Sequence, residues 1–282
     1  MEKGEQKVKI VRRTYQTGRF REVREVMVPD RYIPRGPRLK GNARKSQMDA
    51  NLKAAIREAT RILNANFCYE DGDLLVTLSF ADKALPATRD EAWQIVGQKL
   101  LRKLRPLAKK RGRPLKIFGL PSDMDGQTKE TERVHVHLVL SGVTMDEVRE
   151  TWAPYGLTDC RTIRKEKSHA RLAAYLLAQC RCVPDEKKWH TSRNLERTRL
   201  IAETEPVGRY RLPKGAELIA AGEYAPEEGK LLDLQIWMPA EKTRAHAGGP
   251  LKSGRNREAA GRGGTLKTRG REGVTPEEGG GK

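Results

Sequence analysis

Two histidines stand two residues apart, at His135 and His137, in the stretch Arg133-Val134-His135-Val136-His137-Leu138-Val139-Leu140. Apolar residues alternate strictly with them, the pattern of a half-buried β-strand. Successive strand side chains point to opposite faces, so Val134, Val136, Leu138 and Leu140 share one face and the two imidazoles the other. Neutral imidazole is a common metal ligand, and two of them on one rigid strand make half of a divalent-metal site. Taken alone, the pair reads equally well as polar groups on a solvated sheet face. The preceding loop, Ser122-Asp123-Met124-Asp125-Gly126, can supply an acidic oxygen to a metal on the adjacent strand. Its Asp-x-Asp-Gly is not an EF-hand, because Pro121 occupies the first ligand position and the flanks read as strands. Further on, Leu172, Tyr175, Leu176 and Gln179 fall on one helical stripe. A tyrosine there is ordinarily core filler with its hydroxyl bonded.

The elements that must position these residues follow from periodicity. Leu52, Ala55, Ile56, Ala59, Ile62 and Leu63 predict an amphipathic helix from Ser46 to about Asn64. Leu74 to Phe80 reads as a strand. Thr88 with Glu91 makes a capping box for a helix carrying Trp93, Val96, Leu100 and Leu104, which Pro106 should disturb. Leu115 to Leu120 is a short strand before the acidic loop. Thr144 with Glu147 caps a helix through Val148 and Trp152, Thr158 to Arg164 is a further strand, and Ser168 opens the Tyr175 helix. Beyond it, Trp189 to Leu195 is polar and irregular. Ala216 to Tyr224 and Leu231 to Met238 suggest a hairpin.

Charge sets the partner class. Lys and Arg number 56 against 37 Asp and Glu, a net +19, which implies a polyanionic partner. Residues 1–45 carry fourteen basic and five acidic residues with three prolines, and are read as a basic arm with two short strand candidates, Val8 to Val11 and Val23 to Val28. Lys99 to Lys116 holds nine basic residues and no acidic one, which favours phosphate contact. Residues 241–282 hold eleven of the 26 glycines and no aromatic, a composition expected to form a disordered basic tail. No apolar run approaches the roughly 18 residues of a membrane span, and the N-terminus lacks a signal-peptide core, so the expected location is cytoplasmic. Cys68, Cys160, Cys180 and Cys182 lack paired zinc spacing and read as reduced structural thiols.

Together these motifs resemble the HUH endonucleases, in particular the single-tyrosine rolling-circle replication initiators of phages, plasmids and integrative elements. The resemblance covers roughly residues 45–200. It rests on the strand Thr77 to Phe80 after Asn66-Phe67, on Val134-His135-Val136-His137-Leu138, on Tyr175-Leu176-Leu177-Ala178-Gln179, and on Ser192-Arg193-Asn194-Leu195. It implies an α/β (α+β) sandwich with a mainly antiparallel central sheet flanked by helices over residues 46–200. Added strands would follow over 201–240.

The implied chemistry is nicking of single-stranded DNA, at an origin hairpin, to initiate rolling-circle replication. Tyr175 is the implied nucleophile, leaving a 5′-phosphotyrosyl link and a free 3′-hydroxyl. The resemblance further implies Mg²⁺ or Mn²⁺ held by His135, His137 and an acidic or amide side chain from before the histidines, where Asp123 matches best and Asp125 is the alternative. Many relatives carry a lysine three residues after the tyrosine, whereas this chain has Ala178, so that charge would come from Arg171 or Arg181. DNA contacts are expected from Lys109, Lys110, Arg111, Arg113, Arg171, Arg181 and Arg193. No GxxxxGK[ST] phosphate loop is present, so a host helicase and polymerase would be partners. A transposase of the same superfamily is the nearest alternative. A relaxase fits less well, since no third histidine follows the pair. A non-catalytic nucleic-acid-binding protein is the alternative from another class.

Overall fold

The computed structural model describes residues 7–30, 45–67, 72–164, 166–180, 188–224 and 231–238. Its strands form two five-stranded antiparallel sheets. The inner sheet has the order β6-β3-β5-β4-β7, from β3 (Leu74–Ser79), β4 (Lys116–Met124), β5 (Thr131–Ser141), β6 (Thr158–Thr162) and β7 (His190–Thr191). The histidine strand β5 is therefore central, paired with β3 on one side and β4 on the other.

Both faces of the inner sheet are covered, for reasons visible in the alternation. Val76, Leu78, Ile117, Val136, Leu138 and Leu140 point one way. They pack against α2 (Arg89–Val96), α3 (Arg102–Lys110) and α4 (Met145–Trp152). Leu75, Phe118, Leu120 and Val139 point the other way, against α1 (Lys45–Asn66) and α5 (Ala170–Ala178). The Thr144–Glu147 capping box forms with both of its hydrogen bonds. Thr88 also caps α2, but the Glu91 carboxylate accepts from Ala87 N rather than from the cap residue. Pro106 does not end its helix. A wide π turn over Gly97–Leu101 precedes α3, which runs on to Lys110.

The outer sheet has the order β8-β1-β2-β10-β9. Residues 1–45, expected to be an arm, instead contain a long hairpin of β1 (Val8–Thr17) and β2 (Phe20–Pro29). The polar residues that suggested a loose arm are paired across it, as in the 2.7 Å Arg12–Glu25 ion pair. The hairpin's sheet partners, β8 (Arg199–Thr204), β9 (Glu217–Tyr224) and β10 (Leu231–Trp237), lie far along the chain. Strands β9 and β10 pair as the sequence suggested.

Helix α1 lies between the two sheets. Its apolar face, Ala55, Ala59, Ile62 and Leu63, belongs to the inner core. Its opposite face meets a charged surface of the outer sheet, where Arg61 makes two 2.7 Å bonds to the Glu22 carboxylate. Glu22 is only 2% exposed. Burial opposes the Arg61 charge, but the Glu22 hydrogen bonds outweigh it and hold the guanidinium pKa above its ordinary value. Among the described residues no helix is long and apolar enough to cross a membrane. The proposed tail, 241–282, lies outside the described residues.

Candidate metal and nucleophile site

His135 and His137 project from β5 on the α5 side of the sheet, as the alternation requires. Their cross-strand neighbours on that face are Ser79 and Thr77 of β3, and Ser122 and Leu120 of β4. The two rings stand edge to face, with centroids 4.8 Å apart. His137 is 3% exposed. Burial, helped by the charge of His135, pushes its pKa down to about 4, so the ring is neutral at physiological pH. Each ring is oriented from its outer nitrogen. His137 Nδ1 lies 3.0 Å from Thr77 Oγ1, and His135 Nδ1 lies 2.9 Å from the Arg133 carbonyl.

Their inner nitrogens converge on one atom. Gln179 Oε1 is 2.7 Å from His137 Nε2 and 3.2 Å from His135 Nε2. A carbonyl only accepts, so the contact with Arg133 places a proton on Nδ1 of His135. In the neutral ring Nε2 is then a lone pair facing the lone pairs of an amide oxygen. Such a meeting is relieved by a cation among the three groups or by turning the amide round. Two imidazoles engaged at Nδ1 and aimed inward at Nε2 have the orientation of metal-bound histidine. With the amide oxygen they supply three donors of the types that bind a divalent cation. The residues therefore fit the implied metal, with Gln179 as the candidate for the third ligand. Among the described residues no three His, Cys, Asp or Glu side chains gather into a group, and the third donor here is an amide.

Asp123 is not brought to the histidines. Ser122 faces them, so the next residue of β4 turns to the other side of the sheet, where its carboxylate lies 3.9 Å from Arg89 of α2. Asp125 lines the cleft in front of the site, but its Oδ1 accepts from the amides of Gln127 and Thr128, both at 2.6 Å. Those bonds hold its pKa below the ordinary carboxylate value and spend it on the hairpin turn.

Gln179 is clamped. Ser122 Oγ donates to its backbone carbonyl at 2.6 Å. Gly126 presses on its side chain so closely that a Cβ there would fall 2.8 Å from Gln179 Cγ. Lys129, held at φ 66°, donates from Nζ to the Ala178 carbonyl at 2.5 Å. A positive charge thus does stand beside position 178, supplied by a neighbouring hairpin.

Tyr175 lies on α5 one turn before Gln179. Its ring is 45% exposed and its centroid is 5.9 Å from that of His137. It is not buried filler. Leu176 and Leu177 anchor the helix in the core. Asn64 Oδ1 of α1 accepts from His169 N at 2.7 Å at the helix start. Tyr175 and both histidines line a cleft of about 1360 Å³, with Lys83, Arg133 and Asp159 also on its wall. A second cavity, of about 290 Å³, opens on the other side of Tyr175 and is lined by Arg161, Arg164 and Arg171.

The expected DNA contacts divide. Arg171 is brought beside Tyr175. Lys109, Lys110, Arg111 and Arg113 belong to the end of α3 and its turn, in the layer across the sheet from Tyr175. Arg111 is also tied to Glu147 by bonds of 2.5 and 2.6 Å. Arg193 is exposed beside Ser192, whose Oγ accepts from Ile117 N near the far end of β4. Arg181 lies outside the described residues. Two cations earlier in the basic run lie near an aromatic ring instead. Lys99 and Lys103 each place Nζ 5.9 Å from the Tyr155 ring, between the cleft-lining Pro154 and Gly156.

No family model, curated protein or solved structure matches the chain. Function must be argued from the site itself.

Sequence reasoning did not bring Gln179 to the histidines although it had placed that residue on the Tyr175 stripe. The usable signal was the spacing, since residues four apart on a helix share a face.

Proposed function

We propose that the protein nicks single-stranded DNA through a 5′-phosphotyrosyl intermediate, in the manner of the rolling-circle initiators it resembles. The observation that carries this reading is the convergence of His135 Nε2, His137 Nε2 and Gln179 Oε1 beside the exposed ring of Tyr175. A Mg²⁺ or Mn²⁺ bound by these three groups would supply Lewis-acid stabilisation of charge on a non-bridging phosphate oxygen.

The chain's own residues supply the remaining steps. The arginines of the second cavity, Arg161, Arg164 and Arg171, draw a phosphodiester across the Tyr175 hydroxyl. Tyr175 Oη forms a bond to phosphorus as the P–O3′ bond breaks. The phenolic proton is released, and the departing 3′-oxygen is protonated to give a 3′-hydroxyl. The phosphodiester is conserved as a tyrosyl ester, so a 3′-hydroxyl can later reverse the reaction and rejoin the strand. Ser122, Gly126 and Lys129 act on Gln179 and hold it in place. Initiation of replication is the biological role this chemistry would serve.

The decisive experiment is incubation with single-stranded oligonucleotides and Mn²⁺, followed by denaturing electrophoresis. A covalent adduct is expected with the natural chain, none with Tyr175→Phe, and none in excess EDTA. An adduct that persists in the Phe variant overturns the assignment of Tyr175.

A further inference from the structure

A third cavity, of about 520 Å³, lies away from the cleft, where the charged face of α1 meets β2, β9 and β10. Its wall includes Arg24, Lys53, Arg57, Asp233 and Gln235. Three of these are cations and one is a carboxylate. The surrounding ion pairs leave little negative charge to spare. Glu22 is taken by Arg61 at 2.7 Å and approached by Arg24 at 3.7 Å, Asp233 is taken by Arg24 at 2.9 Å, and Glu58 is taken by Arg61 at 2.9 Å.

Arg57 is what remains. It is partly buried, and among the described residues it has no hydrogen bond or ion pair. Burial, followed by the repulsion of Arg24, lowers its pKa. A half-buried cation attracted only by carboxylates that already bond other arginines, Asp233 and Glu22, is incompletely satisfied in the free protein, and a planar guanidinium is well shaped to hold a phosphate through two bonds. The pocket also sits close to the nucleophile helix. Gln235, on its wall, accepts from Ser168 Oγ at 3.2 Å, two residues before α5 begins.

We propose that this pocket is a second anchoring point for nucleic acid, in which Arg57 and Lys53 hold backbone phosphates of the strand whose other part occupies the Tyr175 cleft. The net charge of +19 favours a polynucleotide over any other polyanion. The inference rests on the DNA-binding part of the proposed function and is independent of the metal and of the tyrosine chemistry.

The test measures binding of a fluorescent single-stranded oligonucleotide by anisotropy over a range of KCl concentrations, for the full chain, Arg57→Met and Lys53→Ala/Arg57→Met. Each lost phosphate contact should flatten the log–log salt slope by about 0.7. The double variant should therefore bind about 5- to 20-fold more weakly at low salt with a slope shallower by about 1.4. Adduct formation at saturating DNA should be unchanged. Removing an unpaired cation should also raise the melting temperature of Arg57→Met in the absence of DNA, which separates lost binding from lost folding. Unaltered affinity and slope in the double variant would overturn the proposal. So would millimolar inorganic phosphate raising the melting temperature of the natural chain, but not of Arg57→Met, while the DNA slopes stay equal, since the pocket would then hold a small free anion. Failure of the Tyr175→Phe experiment with altered slopes here would leave the anchoring point standing and remove only the nicking reaction.

Discussion

The two sheets bury their polar groups in opposite ways. In the outer sheet Glu22 is almost inaccessible, yet both its oxygens are met by Arg61. In the inner sheet His137 is equally hidden, but its inner nitrogen and that of His135 share a single amide oxygen, Gln179 Oε1. A saturated buried polar group fixes a structure, as Glu22 fixes the docking of the outer sheet on α1. Three polar groups crowded on one point, with the Nε2 lone pair of His135 turned towards the amide oxygen, suit a ligand that binds between them.

Breaking the saturated pair should have the largest effect. Glu22→Gln leaves the buried Arg61 charge with only the more exposed Glu58 as counterion and should destabilise the protein by about 3 kcal/mol in denaturant titration. The double change Glu22→Met/Arg61→Met should recover most of that loss, and if it is no better than the single change, the pair is not what holds the sheet. The histidine site should answer to pH instead. His137 is neutral in the fold down to about pH 4, whereas in the unfolded chain it takes a proton near 6.5. A depressed folded pKa means stability that is present above 6.5 and is lost as pH falls from there towards 4, worth roughly 3 kcal/mol. His169, also lowered by burial, adds with the same sign. Denaturation of EDTA-treated protein at several pH values should show that slope, and His137→Asn should flatten it.

Smaller effects sharpen the contrast. Thr77→Val keeps the shape of the sheet but removes the oxygen that orients His137 Nδ1. Loss of such a partner should weaken Mn²⁺ binding about 10- to 100-fold by calorimetry, with little change in melting temperature. Unchanged metal affinity would mean that packing alone orients the ring. Smallest of all, Lys109→Ala/Lys110→Ala should alter adduct formation by less than about twofold, because these lysines lie across the sheet from Tyr175. A large loss would place the DNA on the α3 surface.

What could be seen in the sequence divides along the same line. The histidine strand was legible because period-two alternation is local, and it places both imidazoles on the face that carries the site. The Tyr175 helix was legible from its three-and-four spacing. Asp123 misled because proximity in sequence to the histidines favoured an acid on β4, while the pleat turns that residue to the other face. Short strands at Val8 to Val11 and Val23 to Val28 were legible, but their extension and pairing into one hairpin was hidden because its charges pair across strands and its neighbours are remote. Pro106 was expected to disturb a helix that instead continues past it, after a wide turn at Gly97–Leu101.

The outer sheet joins strands from the two ends of the described chain, and this sets an order of events during synthesis. Arg24 of β2 and its partner Asp233 of β10 are 209 residues apart. At a ribosomal rate of about 5–20 residues per second, β2 emerges roughly 10–40 s before the strand that completes it. The strands of the inner sheet, from Leu74 to Thr191, all appear within that interval. The first hairpin made therefore waits as an open edge for β10, with Arg24 not yet met by Asp233 although Glu22 can already be met by Arg61 of α1. Charge on an unpaired edge discourages pairing with other nascent chains, so the guanidinium that later bonds across the sheet is well placed to guard that edge beforehand.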